Sequence, residues 1–170
     1  MGLIMQGDSK VIDRLNETLK AEFTAIHQYF VHAEMQDNWG YHKLAEYVKK
    51  QSIGEMIHAE RLIERILFLD GVPSMAELNP LRTGQDVKSQ LENDLALEYE
   101  AVAQLNSAIA DAMAAGDNGS RELFTTILKD EEEHVDWLEA QLQAINDMGI
   151  GIYLSQQLGV GDEAEPSAGH

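Results

Sequence analysis

Two segments of this chain place a glutamate three residues before a histidine, Glu55 with His58 and Glu131 with His134. On a helix each such pair shares one face. Their flanks are apolar at helical spacing, so that face points into an interior. A carboxylate and an imidazole directed into an apolar interior are costly unless something charged sits between them. A metal ion is the obvious candidate. Two more glutamates, Glu22 and Glu98, interrupt apolar stripes elsewhere. Glu22 and Glu55 are 33 positions apart, and so are Glu98 and Glu131. Each half of the chain therefore carries a lone Glu followed at one fixed interval by Glu-x-x-His.

With 18 Glu and 6 His in the chain, chance alone produces about 0.6 Glu-x-x-His pairs. Two pairs count for little by themselves, and the matched interval and interior placement carry the weight. One Glu from each of two helices and Glu-x-x-His from two others is the ligand set of di-iron and di-manganese carboxylate bundles. Four carboxylates and two neutral imidazoles carry four negative charges, which two divalent cations cancel. Oxygen-rich ligation with one nitrogen per metal suits iron or manganese. On this reading Glu55 and Glu131 bridge, Glu22 and Glu98 are terminal, and His58 and His134 each supply one nitrogen. The alternative is a buried hydrogen-bonded network without metal.

The elements that must position these groups are helices. Asp8 or Ser9 opens the first, and Ile12, Leu15, Leu19, Glu22, Ile26, Tyr29 and Ala33 form its seam. Asp37-Asn38-Trp39-Gly40 turns the chain, with Gly40 as the cap. The second helix runs from about Tyr41 to Leu69, with Leu44, Val48, Gln51, Glu55, His58, Leu62 and Ile66 inward. A connection to about Gly84, holding Pro73 and Pro80, exceeds what a tight turn needs and can cross the bundle end to end. The third helix spans about Asp86 to Ala115 and carries Glu98. Ser120 is the expected N-cap of the fourth, which buries Phe124, Ile127, Glu131, His134, Leu138, Ile145 and Met148 and stops at Gly149. Ile152 to Leu158 forms a further short helix. The expected fold is all-α: a four-helix bundle with one long crossover and a short fifth helix. Residues 9–158 form the domain, residues 1–8 precede it, and residues 159–170 form a disordered tail.

Bulk properties narrow the function. A formal charge of −18 argues against nucleic acid as a partner and suits a surface that gathers cations. No apolar run approaches the roughly 18 residues of a spanning helix, and the first residues are too short for a signal peptide, so a cytoplasmic location is expected. The absence of cysteine excludes disulfides, thiolate zinc sites and iron–sulfur clusters.

Several stretches resemble bacterioferritin: Met5-Gln6-Gly7-Asp8-Ser9-Lys10-Val11-Ile12, Gln28-Tyr29-Phe30, Asn38-Trp39-Gly40, Glu55-Met56 with His58-Ala59, Ile63-Glu64-Arg65-Ile66-Leu67-Phe68-Leu69 and Asp130-Glu131-Glu132-Glu133-His134. The resemblance runs from about Met5 to Leu158. It implies a ferritin-like fold and a homo-oligomeric shell of 24 subunits built from dimers. It also implies oxidation of Fe(II) by O2 or H2O2 at a di-iron centre within each subunit, and storage of the ferric mineral. All six ferroxidase ligands of the family have counterparts here: Glu22, Glu55, His58, Glu98, Glu131 and His134. Haem b shared between two subunits is implied at Met56, which lies about 100° round the helix from Glu55 and so faces a neighbour. A small ferredoxin is the implied electron donor for iron release. Tyr29 and Trp137 match positions near the di-iron site, where they serve electron transfer or simple core packing. Lys50 and Gly54 stand where some members carry a His and an Asp for a further iron on the cavity wall, so that iron is not expected here. His27, His32 and His42 are read as surface or satisfied histidines, and Met35, Met75, Met113 and Met148 as packing residues. The rival readings are a manganese catalase or peroxidase, and a non-catalytic haem-bearing shell.

Overall fold

In the computed structural model, which describes residues 5–159, five helices follow in order: α1 (Ser9–Asn38), α2 (His42–Phe68), α3 (Val87–Ala114), α4 (Asn118–Met148) and α5 (Ile150–Ser155). No strand occurs among the described residues. Asp8 caps α1 by accepting from the backbone N–H groups of Lys10 and Val11. Asp86 forms a capping box with Ser89 at the start of α3. Position 40 takes φ +87 just beyond α1, a conformation that favours glycine. α1 packs along α2, α3 along α4, and the two pairs join chiefly through α1 and α3. Among the described residues no helix is long and apolar enough to cross a membrane. Residues 1–4 and 160–170, which include most of the expected tail, lie outside the described residues.

The crossover between α2 and α3 starts where the Gly7 N–H donates to the Leu69 carbonyl, at the N-terminal end of α1. It then runs the length of α1, held by polar side chains of that helix. Asn16 accepts from the Ser74 N–H, Thr24 from Asn79, Gln28 from Arg82 and His32 from Gly84. Asp94 of α3 backs this row, accepting from the Gln28 amide at 2.8 Å and lying 2.9 Å from His32 Nδ1. Of these four donors only Gly84 is buried, and its N–H would go unpaired without His32, while the other three bonds tether a largely exposed segment. Because the crossover delivers the chain to the far end of α1, α3 runs antiparallel to α1. Asp111, near the end of α3, accordingly pairs with Lys10 and Arg14 at the start of α1.

The interior divides in two. One apolar cluster gathers Leu15, Leu19, Leu62, Ile66, Leu105 and Phe124 at one end of the bundle. A second gathers Tyr29, Leu44, Val48, Leu91, Leu138 and Tyr153 at the other. The six candidate ligands interrupt the seams that build both clusters.

Three local expectations are corrected. Asp117, not Ser120, caps α4, and both the N–H and the hydroxyl of Ser120 donate to it. Arg65 also pairs with Asp117 at 2.6 Å, so the carboxylate does more there than a serine hydroxyl can. Ile12 and Ile26 are only partly buried, while their neighbours Val11 and Ala25 are buried; the other expected seam residues of α1 are buried, and the buried stripe is wider than expected on the side of Thr18, Gln28 and His32. Met75, Met113 and Met148 are exposed in the single chain and fill no gap within it.

Candidate dimetal site

α1, α2, α3 and α4 contribute Glu22, Glu55 with His58, Glu98, and Glu131 with His134, and all six side chains are buried. They form two groups, Glu22–Glu55–His58–Glu131 and Glu55–Glu98–Glu131–His134, and within each the ligand atoms lie within 4.8 Å of one another. Glu55 and Glu131 belong to both, the arrangement bridging carboxylates require. His58 Nδ1 lies 3.0 Å from Glu55, 3.2 Å from Glu131 and 3.4 Å from Glu22. His134 Nδ1 lies 2.9 Å from Glu98. Each imidazole therefore turns the same nitrogen toward the carboxylates.

The electrostatics are those of a cluster holding protons where cations fit. Burial pushes the Glu22 carboxyl up, and the neighbouring Glu131 charge adds to it. Glu55 and Glu131 are raised well above the usual carboxylate range, first by burial and then by nearby carboxylates. Burial also opposes ionisation of Glu98, but hydrogen bonds from His134 and Glu131 outweigh it and hold that group low. Burial disfavours the charged form of both histidines too. For His58, bonds to Glu131, Glu22 and Glu55 prevail, and for His134 the bond to Glu98 does, so both are raised. Carboxylates outnumber buried bases, and their oxygens converge. That donor set fits two divalent cations with oxygen-rich, single-nitrogen coordination.

Tyr29 donates its hydroxyl to Glu98 and packs edge-on against His134, with ring centroids 5.3 Å apart. Trp137 lies 6.1 Å from His134 and stacks on Tyr47 at 3.9 Å. A groove of about 440 Å³, lined in part by Tyr47, Lys50, Gly54, Asp130 and Trp137, reaches both histidines from outside. His32 is fully buried, its Nε2 accepting from the Gly84 N–H while Nδ1, 2.9 Å from Asp94, makes no hydrogen bond, whereas His27 is exposed and His42 half-buried. Lys50 pairs with Glu46 at 2.8 Å.

Two residues at this site escape a reading from spacing. Asp130 Oδ2 lies 3.0 Å from His58 Nε2. Tyr47 covers Trp137. Asp130 stands in an acidic run in which every member looks equally solvated, and only its place beside Glu131 sets it apart.

Met56 lies away from the dimetal site and is 56% exposed. It lines a separate apolar groove with Phe23, Ile26, Ala59, Ile63 and Met75.

A four-helix bundle with one crossover and a buried carboxylate–histidine cluster defines the ferritin-like class, and the ferritin-like domain model matches residues 12–148. The bacterioferritin of Mycolicibacterium paratuberculosis is 47% identical over 152 residues, covering 89% of this chain and 96% of that protein. The Streptomyces coelicolor bacterioferritin is 48% identical over 151 residues, covering 89% and 90%. A solved mycobacterial bacterioferritin structure superposes with a TM-score of 0.89 at 47% identity, over 90% of this chain and 95% of that one. The chain belongs to the bacterioferritins, a family of iron-storage proteins.

Proposed function

We propose that this bacterioferritin is a ferroxidase that takes Fe(II) as substrate, oxidises it with O2 or H2O2, and stores the ferric product inside a shell of 24 copies built from dimers. The observation that carries this reading is the pair of overlapping ligand groups sharing Glu55 and Glu131. Iron bound there would supply one-electron chemistry, two Fe(II) each giving an electron to the oxidant. The protein's residues do the rest. Glu22 and Glu98 close the outer ends of the site, and His58 and His134 present Nδ1 to it. Three raised carboxyls and two raised imidazoles hold protons that must leave as cations enter. The Tyr29 hydroxyl fixes Glu98, and the apolar clusters on either side exclude water.

Residues 9–158 are the iron-handling domain of this proposal. The cytoplasm is its proposed location, and a small ferredoxin is proposed to deliver electrons for iron release. Anaerobic Fe(II) titration of the metal-free assembly should saturate at two ions per chain before any mineral forms. Saturation at one or none would overturn the di-iron reading. Manganese at the site with peroxide turnover and no Fe(II)-dependent oxygen uptake would favour the catalase instead.

A second group is proposed at Met56, where haem b would lie between two subunits with one thioether from each. The site fits: an exposed sulfur stands in an apolar groove able to take a flat hydrophobic ring system. Thioether is a ligand that haem iron accepts. Met56→Leu should lose the low-spin haem band while leaving the Fe(II) stoichiometry intact. A band that survives the substitution removes Met56 from the site.

A further inference from the structure

The chain's two halves repeat with a fixed offset that pairs Glu22 with Glu98, Glu55 with Glu131 and His58 with His134. Their surroundings do not repeat. His58 Nε2, the nitrogen facing away from the carboxylates, lies 3.0 Å from Asp130 Oδ2. Asp130 reaches it from α4, one residue before Glu131. Among the described residues, the only hydrogen bond of His134 is the one from Nδ1 to Glu98. Carrying Asp130 through the repeat lands on Gly54, one residue before Glu55. Gly54 has no side chain to offer, although a Cβ built there meets nothing within 4 Å. Packing does not demand the glycine, and both positions line the same groove.

A carboxylate accepting from the outer nitrogen of a metal-binding histidine fixes the tautomer and the ring orientation, leaving the inner nitrogen's lone pair aimed at the ion. His58 has that support and His134 lacks it. We propose that Asp130 is a positioning residue for the His58 half of the site, and that glycine at position 54 leaves the two halves unequal in ion affinity, the His58 half being the tighter. The inference rests on the dimetal reading.

The test is titration of the metal-free assembly with Co(II), which reports on binding without oxidation, followed by visible absorbance and calorimetry. The wild type should take up two ions per chain in two resolved steps. Asp130→Ala should weaken the tighter step by about 10- to 100-fold and the weaker step by no more than a few-fold. Asp130→Asn keeps an acceptor oxygen and should recover most of the loss, which a purely structural role would not produce. Gly54→Asn adds an uncharged acceptor at the repeat position and should narrow the gap between steps, whereas Gly54→Ala should not. Uptake of fewer than two Co(II) by the wild type would sink the dimetal reading itself. Two ions taken up in one unresolved step, or both steps weakened equally by Asp130→Ala, would overturn only the present inference. A gap that Gly54→Asn leaves unchanged would overturn the part assigned to position 54.

Discussion

Glu131→Ala is expected to abolish the rapid phase of Fe(II) oxidation, with a loss on the order of 100- to 1000-fold, because it removes a carboxylate shared by both ligand groups. Loss of a terminal ligand damages one half of the site, but loss of a bridge damages both. Glu55→Ala should behave in the same way, and His134→Ala should also lose the rapid phase by removing the sole nitrogen of its group. None of these changes should unfold the protein. The carboxylate removed is buried among others, and its desolvation opposes folding of the metal-free chain. Glu132→Ala is the control, since the neighbouring side chain is exposed and outside both groups. Stopped-flow oxidation with shell integrity checked by size exclusion makes the comparison. Wild-type rates in both Glu131→Ala and His134→Ala would refute the site assignment.

Much of this architecture can be read from residue order alone, for a physical reason. Helix seams are periodic, and a carboxylate that breaks an apolar stripe at its middle stands out against Leu62, Ile66 or Phe124. That is how all six ligand candidates came into view; the crossover showed instead as a connection longer than a tight turn needs. Polar residues that pack against other polar groups leave no such trace. Gln28, His32, Gln36 and Asp94 are all buried, yet in sequence they look like ordinary solvent-facing positions. Gln28 and His32 accept from backbone N–H groups of the crossover, which has no periodicity from which to infer its path, while Gln36 donates to Gln90 and Asp94 accepts from Gln28, polar partners that leave no apolar stripe. Including Gln28, His32 and Gln36 would have widened the predicted seam of α1 toward Val11 and Ala25. The N-cap of α4 failed differently. Ser120 and Asp117 are both good caps by type, and only the approach of Arg65 from α2 favours the carboxylate. The contact of Asp130 with His58 was hidden because its partner lies on another helix. The repeat relates it to Gly54, a residue with nothing to align on.

Divalent ions are expected to raise the melting temperature of the metal-free protein far more at pH 8 than at pH 5.5. Glu22, Glu55 and Glu131 have folded-state pKa values above their reference of 4.5, and His58 and His134 lie above theirs of 6.5. A raised group contributes its full stability below its unfolded value and loses it as pH climbs toward the folded one. In that window the folded chain holds protons that the unfolded chain has released. Stability then falls with rising pH by about 1.4 kcal/mol per pH unit for each such proton. Within the cluster Glu98 alone is lowered, and its opposite contribution, like that of the lowered Glu46, Asp86, Asp111 and Asp117 outside it, is confined to pH below about 4.5. The metal-free protein should therefore lose stability steadily from about pH 5 to pH 8. Cations displace the same protons, so their affinity rises over the same range and the two effects add. The acidic surface contributes its own repulsion to any such profile. Glu131→Gln separates the two, because it keeps that surface and removes one raised carboxyl, and its metal-free profile should be flatter. Calorimetry of both proteins with and without Co(II) decides the matter. A metal-free wild type whose melting temperature is level or climbs between pH 5.5 and pH 8 would show that the buried cluster does not hold these protons. The balance of charge that calls for two cations would then be wrong.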